Sequence, residues 1–249
     1  MTISYLAKLP DPSSLCMKLW PEAGWQDADG AMRDVGKPVP HLAGRWSNRG
    51  RKITYAAGIG PVPHIEFANS PTDDQSIRRF TERWGPLFTL PFVPPRMRRS
   101  GIEFAMNIAA WRRCHERMSA ALKLVASRRV SDRQKLPGLF GLASSAEFKF
   151  GELRPAVECD SRGDSRGAFG PKLVAASLWD AMLTALWLDL SARGLRMLRC
   201  LNPTCRRFFT TERPNQKYCD ALCAARVAKR KWWRKKGAQR RASSRAQAK

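Results

Sequence analysis

Apolar residues along this chain gather into three helical patterns, separated by stretches with little periodicity. The first opens at Thr72-x-x-Gln75, the form of a capping box, in which the two side chains satisfy backbone donors at a helix start. Ile77, Phe80 and Trp84 follow at i, i+3 and i+7, and Gly85 is placed to close the helix. Beyond a proline-rich connection at 91–95, Ile102, Met106, Ala109, Cys114, Met118, Leu122 and Val125 make a stripe that predicts a long helix over about 101–127. Arg112, Arg113, Arg117, Lys123, Arg128 and Arg129 fall mainly outside that stripe, as a solvated face or a second phosphate-contacting surface. The third pattern, 171–193, carries Leu173, Ala176, Trp179, Leu183, Leu186, Trp187 and Leu190. It is apolar on several sides, which fits a central core helix or the surface of a homodimer.

The rest is weaker. Residues 11–64 are rich in Gly, Pro and Trp, with short strands expected at 52–57 and 65–68. Asp27-x-Asp29-Gly30 reads as a turn, 131–151 as a loop or short helices, and 153–170 as a hairpin or long loop. The expected fold is mainly α with a few short strands (α+β): a mixed, mainly helical body over 1–198, a small cysteine-rich unit over 199–237 and a disordered basic tail over 238–249.

Composition sharpens this picture. The chain has 249 residues, room for one large domain and a small one, and 43% hydrophobic content supports a real core. Residues 173–190, the most apolar run, are cut by Asp180 and Asp189, so no membrane span is expected. The first residues lack a basic, then apolar, leader pattern, and a cytoplasmic, nucleoid-associated location is expected. The formal net charge is +24, and residues 200–249 hold 15 Lys/Arg against 2 Asp/Glu. That charge favours an anionic partner such as nucleic acid.

Candidate chemistry sits in the same region. Four cysteines fall as Cys200-x4-Cys205-x13-Cys219-x3-Cys223. Two close thiol pairs across a short loop follow the spacing of a structural zinc site closed by four thiolates. Two disulfides or four unrelated thiols are the alternatives; seven cysteines and no secretory leader favour the reduced state. Asn202-Pro203 suits a tight turn, residues 206–211 have strand composition, and 212–216 are turn material. Cys219 and Cys223 are four apart and share one face of a helix start, where the helix dipole lowers thiol pKa. Arg206, Arg207 and Arg226 are placed to offset the thiolate charge.

The helix after Cys223 has two sides. Ala221, Ala225, Ala228 and Trp232 form a weakly apolar stripe, with Trp232 the docking residue. Arg226, Lys229, Arg230, Trp233, Arg234 and Lys235, with Arg206 and Arg207, are the candidate nucleic-acid contacts, and Gly237 a helix stop. The alanine stripe is too thin for a membrane-surface helix.

The segment resembles the CGNR-type zinc finger found at the C-terminus of helical bacterial proteins of the stress-induced transcription-regulator type. The resemblance rests on the C-x4-C pair, Arg207-Phe208-Phe209, Tyr218-Cys219 and the run from Cys223 into a basic helix. Residues 65–87, ending in an aromatic-Gly-Pro-Leu turn, resemble the entry to the helical body of the same families. It implies a treble-clef-like finger, zinc on Cys200, Cys205, Cys219 and Cys223, and double-stranded DNA as partner in transcription regulation. The name-giving tetrad is here Cys223-Ala224-Ala225-Arg226, and the second pair is spaced by three.

An enzyme is not expected. His41, His64 and His115 sit in no HExxH motif, and there is no phosphate loop or Gly-x-Ser-x-Gly elbow. Cys16, Cys114 and Cys159 read as core thiols. The other class in play is a protein-interaction module, with the finger as clasp and the basic helix on an acidic protein surface.

Overall fold

In the N-terminal part the chain runs out and back as a bent two-stranded ribbon. β1 (Thr2–Pro10) continues through a 3-10 turn at Pro12–Ser14 into β2 (Cys16–Pro21), and β3 (Pro38–Gly44) continues into β4 (Trp46–Ala56). β1 pairs antiparallel with β4 and β2 with β3, so the ribbon changes sheets at its bend. Asp11 N–H donates to Arg45 O at 2.9 Å and Arg45 N–H to Ser14 Oγ at 2.8 Å, which keeps the two arms joined there. The computed structural model describes residues 2–21, 38–56, 62–88, 101–127, 154–158, 170–175, 177–192 and 195–247; Asp27–Gly30, Arg128, Arg129, 131–151 and Cys159 lie outside them.

Five helices and three small sheets make up the described residues. α1 (Pro63–Asn69) and α2 (Asp74–Trp84) precede β5 (Phe104–Asn107) and α3 (Ile108–Ala126). β6 (Arg154–Glu158) and β7 (Gly170–Val174) lead to α4 (Leu178–Ser191), then β8 (Arg196–Arg199), β9 (Phe208–Thr211) and α5 (Ala221–Gln247). The sheets run β4-β1-β7-β6, β2-β3-β5 and β8-β9. The fold is therefore mixed, with more strand than expected. The strands between 2 and 44 pair across long sequence distances that local periodicity does not register.

Several element boundaries differ for physical reasons. Residues 65–68 are helix, not strand: Pro63 sits at the start of α1 and Glu66 in its first turn, and both favour a helix N-terminus. The cap of α2 is Asp73, whose carboxylate accepts from Ser76 N–H at 2.9 Å, rather than Thr72. Gly85 does close that helix at φ 89, where an added Cβ would lie 3.1 Å from Lys8 O. Residues 104–107 are strand because β3 offers them a partner, from His41↔Asn107 to Gly44↔Phe104. Asn107 then caps α3 by accepting from Ala110 N–H at 3.0 Å. Residues 170–174 lie parallel to β1, so the third helix begins only after its cap, Ser177.

The core of the body centres on Phe67. Its ring meets Phe80, Trp111, His115 and Trp179 with centroids 4.8–6.1 Å apart. α4 is the expected central helix, buried at most positions from Leu178 to Leu186. Cys114 is a core thiol, and Cys16 is half-buried. His41 is buried on β3. His64 Nε2 lies 3.0 Å from Asp189 Oδ2, and Tyr55 Oη donates to Asp189 Oδ1. This sealed His–Asp–Tyr group links α1, α4 and β4; its members are too far apart in sequence to be seen as a unit.

Candidate metal centre and basic helix

β8 and β9 supply the base of the cysteine-rich unit. They pair antiparallel, with Leu198 opposite Phe209 and Arg199 opposite Phe208. The strand predicted at 206–211 thus pairs backward across the first cysteine pair, not forward over 212–216. Strand alternation then splits the hairpin between two masters. Met197 and Phe208 join the body core, while Leu198 and Phe209 pack with Cys200 and Cys223. Asn69, at the end of α1, donates from Nδ2 to Phe208 O at 2.9 Å and accepts from Phe208 N–H at 2.8 Å. A side-chain amide so completes the free edge of β9. Through these contacts the cysteine unit is docked on the body.

The first cysteine pair is a tight knuckle. Cys205 N–H and Arg206 N–H both donate to Asn202 O, at 3.0 and 3.1 Å, and Cys200 N–H donates to Arg207 O at 2.8 Å. Arg206 sits at φ 52, in the left-handed region. Leu201 N–H donates to Lys217 O at 3.0 Å and draws the second pair close. Asp220 precedes α5, and its Oδ1 accepts from Cys223 N–H at 2.6 Å. The helix therefore begins one residue after Asp220, with Cys219 before it and Cys223 in its first turn.

The four sulfurs converge. Cys205 and Cys219 Sγ are 3.6 Å apart, Cys219 and Cys223 Sγ 3.7 Å, and all four lie within 4.8 Å of one another. They are near enough to share one metal ion. Cys200 and Cys223 are buried, Cys205 and Cys219 half-buried. Burial pushes the Cys205 thiol up, but hydrogen bonding with the Arg207 backbone and the neighbouring thiols brings its pKa below the ordinary value. Cys219 goes the other way: burial, then the three other thiols and Asp220, hold it protonated. Cys223 is pulled down by the Asn202 amide, yet burial and the thiols of Cys205 and Cys200 leave it raised. The helix dipole alone does not set these thiols, contrary to the expectation at Cys219 and Cys223. Once one sulfur is ionised the next resists, and a cation at the centre removes that conflict.

Asn202 is the residue the motif reading missed as a functional one. It is fully buried. Its Nδ2 donates to Cys223 Sγ at 3.4 Å; its Oδ1 accepts from Thr204 N–H at 3.3 Å and from Arg230. It was legible as a turn former next to Pro203; that it reaches a sulfur 21 positions on was not. Arg230 is a further cation linked to the cluster, through Asn202, while the exposed Arg226 acts on Asp220 beside Cys219 and Cys223.

α5 runs for 27 residues with ten Lys/Arg and no acid. It continues past Gly237 to Gln247, so the expected stop and disordered tail give way to helix. One glycine costs only about 1 kcal/mol against alanine in a helix, and good helix formers flank this one. The side turned to the cluster is Cys223, Ala224, Val227 and Arg230. Ala221, Ala225 and Ala228 are exposed, and Trp232 is 51% exposed, so the alanine stripe and Trp232 are not docked. Lys236 Nζ lies 4.6 Å from the Trp232 ring centroid. Of the candidate contacts, Arg226, Lys229, Trp233, Arg234 and Lys235 are exposed along the helix, and Arg230 is half-buried on Asn202. Arg206 and Arg207 are exposed on the knuckle, facing α3 across a cleft.

No protein-family model, curated protein or solved structure matches this chain. Among the described residues, no helix is long and apolar enough to cross a membrane.

Proposed function

We propose that this protein is a zinc-dependent nucleic-acid-binding protein, in which a treble-clef-like finger presents α5 to double-stranded DNA in transcription regulation. The observation that carries this reading is the convergence of four thiols at the start of an exposed helix with ten cations and no acid. A tetrahedron of zinc–sulfur bonds near 2.3 Å has edges of about 3.8 Å, close to the sulfur separations here. Four thiolates leave no open position for water, so the metal's part is structural and the protein's part is binding rather than catalysis. Arg226, Lys229, Arg234 and Lys235 contact phosphate, and Trp233 offers a ring that can stack on a base. The resemblance to CGNR-type regulators points the same way. A soluble, nucleoid-associated protein acting alone or as a homodimer fits this role.

The test is a fluorescence-anisotropy titration of duplex DNA at two salt concentrations. The full chain should bind with a steep negative slope of log K against log salt, and Arg226→Glu/Lys229→Glu/Arg234→Glu should abolish binding with zinc content unchanged. The exposed pair Trp232 and Trp233, at 51% and 54%, favours the second reading, an acidic protein surface as partner. That reading gains if the chain ignores DNA or if the triple variant binds it as well as the parent.

A further inference from the structure

Between α3 and the cysteine knuckle lies a cleft of about 400 Å³. Lys123 on one wall and Arg199, Arg206 and Arg207 on the other bring four cations to it, against the single carboxylate of Glu116. None of these five forms an ion pair among the described residues. Elsewhere on the body Arg78, Arg83 and Arg112 each meet a carboxylate at 2.9–3.2 Å. Like charges gathered in excess of the one carboxylate repel, so an anion between them is favoured.

The cleft is also ordered in advance. Arg199 Nε donates to Arg206 O at 3.0 Å, and its guanidinium lies 5.8 Å from the Phe208 ring centroid, which aims the fork while its terminal nitrogens remain for a ligand. The backbones of Arg206 and Arg207 are held by bonds to Asn202 and Cys200. His115, stacked on Trp111 with centroids 5.6 Å apart, forms part of the body wall, and its Nε2 has no hydrogen-bond partner among the described residues.

We propose that this cleft binds a phosphate-bearing anion, clamped between the body and the finger. Guanidinium forks match the paired oxygens of phosphate, and the volume is that of a small-ligand site. Cys205 also lines the cleft, so an occupant touches the knuckle that holds the metal. Binding there strengthens the hold of the body on the finger by linkage. The phosphate belongs either to a free small molecule or to a nucleic-acid strand passing the knuckle.

Inorganic phosphate titrated into the zinc-loaded full chain and followed by phosphorus NMR tests the site. One saturable site is expected, weakened about tenfold in Lys123→Ala and in Arg207→Ala and unchanged in Arg79→Ala, an exposed charge on α2. Absence of binding, or a loss no larger in the cleft variants than in Arg79→Ala, overturns the proposal. A DNA titration of Lys123→Ala then assigns the source. A salt slope shallower by about one, with phosphate competing, marks a nucleic-acid phosphate; unchanged DNA binding marks a free ligand. The phosphate arm stands even if the chain binds no DNA, so the two readings fail separately.

Discussion

The body closes around Phe67 and its ring of aromatic neighbours; the finger closes around four sulfurs. In the body, apolar burial is distributed over two dozen side chains from β1 to β9. The finger's own apolar cluster is Leu198, Cys200, Phe209 and Cys223, with Cys205, Tyr218 and Cys219 around it. A unit that small cannot bury enough apolar surface to hold a shape, and under the proposed function ligation of a metal by the four sulfurs would replace packing as its source of order. The contrast teaches that one chain joins two sources of order of different chemistry, apolar burial in the body and, if the four thiols hold a metal as proposed, ligation in the cysteine unit.

The largest effect should come from removing the metal. A strong chelator, or Cys219→Ser, should release about one zinc per chain and loosen residues 200–223 while far-ultraviolet circular dichroism of the body persists. A fully ordered metal-free finger would erase the distinction between the two regions. The pH dependence has a definite sign. Cys219 is held protonated in the metal-free chain, so binding must expel its proton. Affinity therefore rises with pH and falls on acidification, which zinc release measured across a pH series will show.

The mirror experiment is Phe67→Ala. It should cost the body about 3–5 kcal/mol in chemical denaturation while zinc content stays near one per chain. If zinc is lost in step, the two regions share one cooperative unit. A smaller effect tests the seam. Asn69→Ala removes both bonds to Phe208 and should cost about 1–3 kcal/mol, with higher amide exchange along β9 and the metal retained.

The four-cysteine cluster was far more legible in the sequence than the body. Its members lie within 24 residues, and sulfur spacing is a local code, so Cys200, Cys205, Cys219 and Cys223 could be named and are found together. α2 and α4 were readable for the same reason, since their apolar periodicity is local. The failures are all non-local. β5 looked like the first turn of a helix, because only β3, some 60 residues earlier, makes it a strand. The segment at 65–68 looked like a strand, because a short apolar run has no period of its own; Pro63 carried the missing signal. Asn202 and Asn69 could not be singled out, since what they do depends on partners that folding alone brings near.

The placement of β8 and β9 has a mechanical consequence. Their two faces serve both regions, so the finger is not a pendant on a tether but the fulcrum of a rigid arm. At 27 residues α5 reaches about 40 Å, and a tilt of about 5° at its root sweeps its tip through about 3.5 Å. One base step along a strand is about 3.4 Å. A small tilt at the seam where Asn69 and Phe208 meet would thus be geared up, at the far end of the arm, to the length of the base step that the proposed function would have it meet.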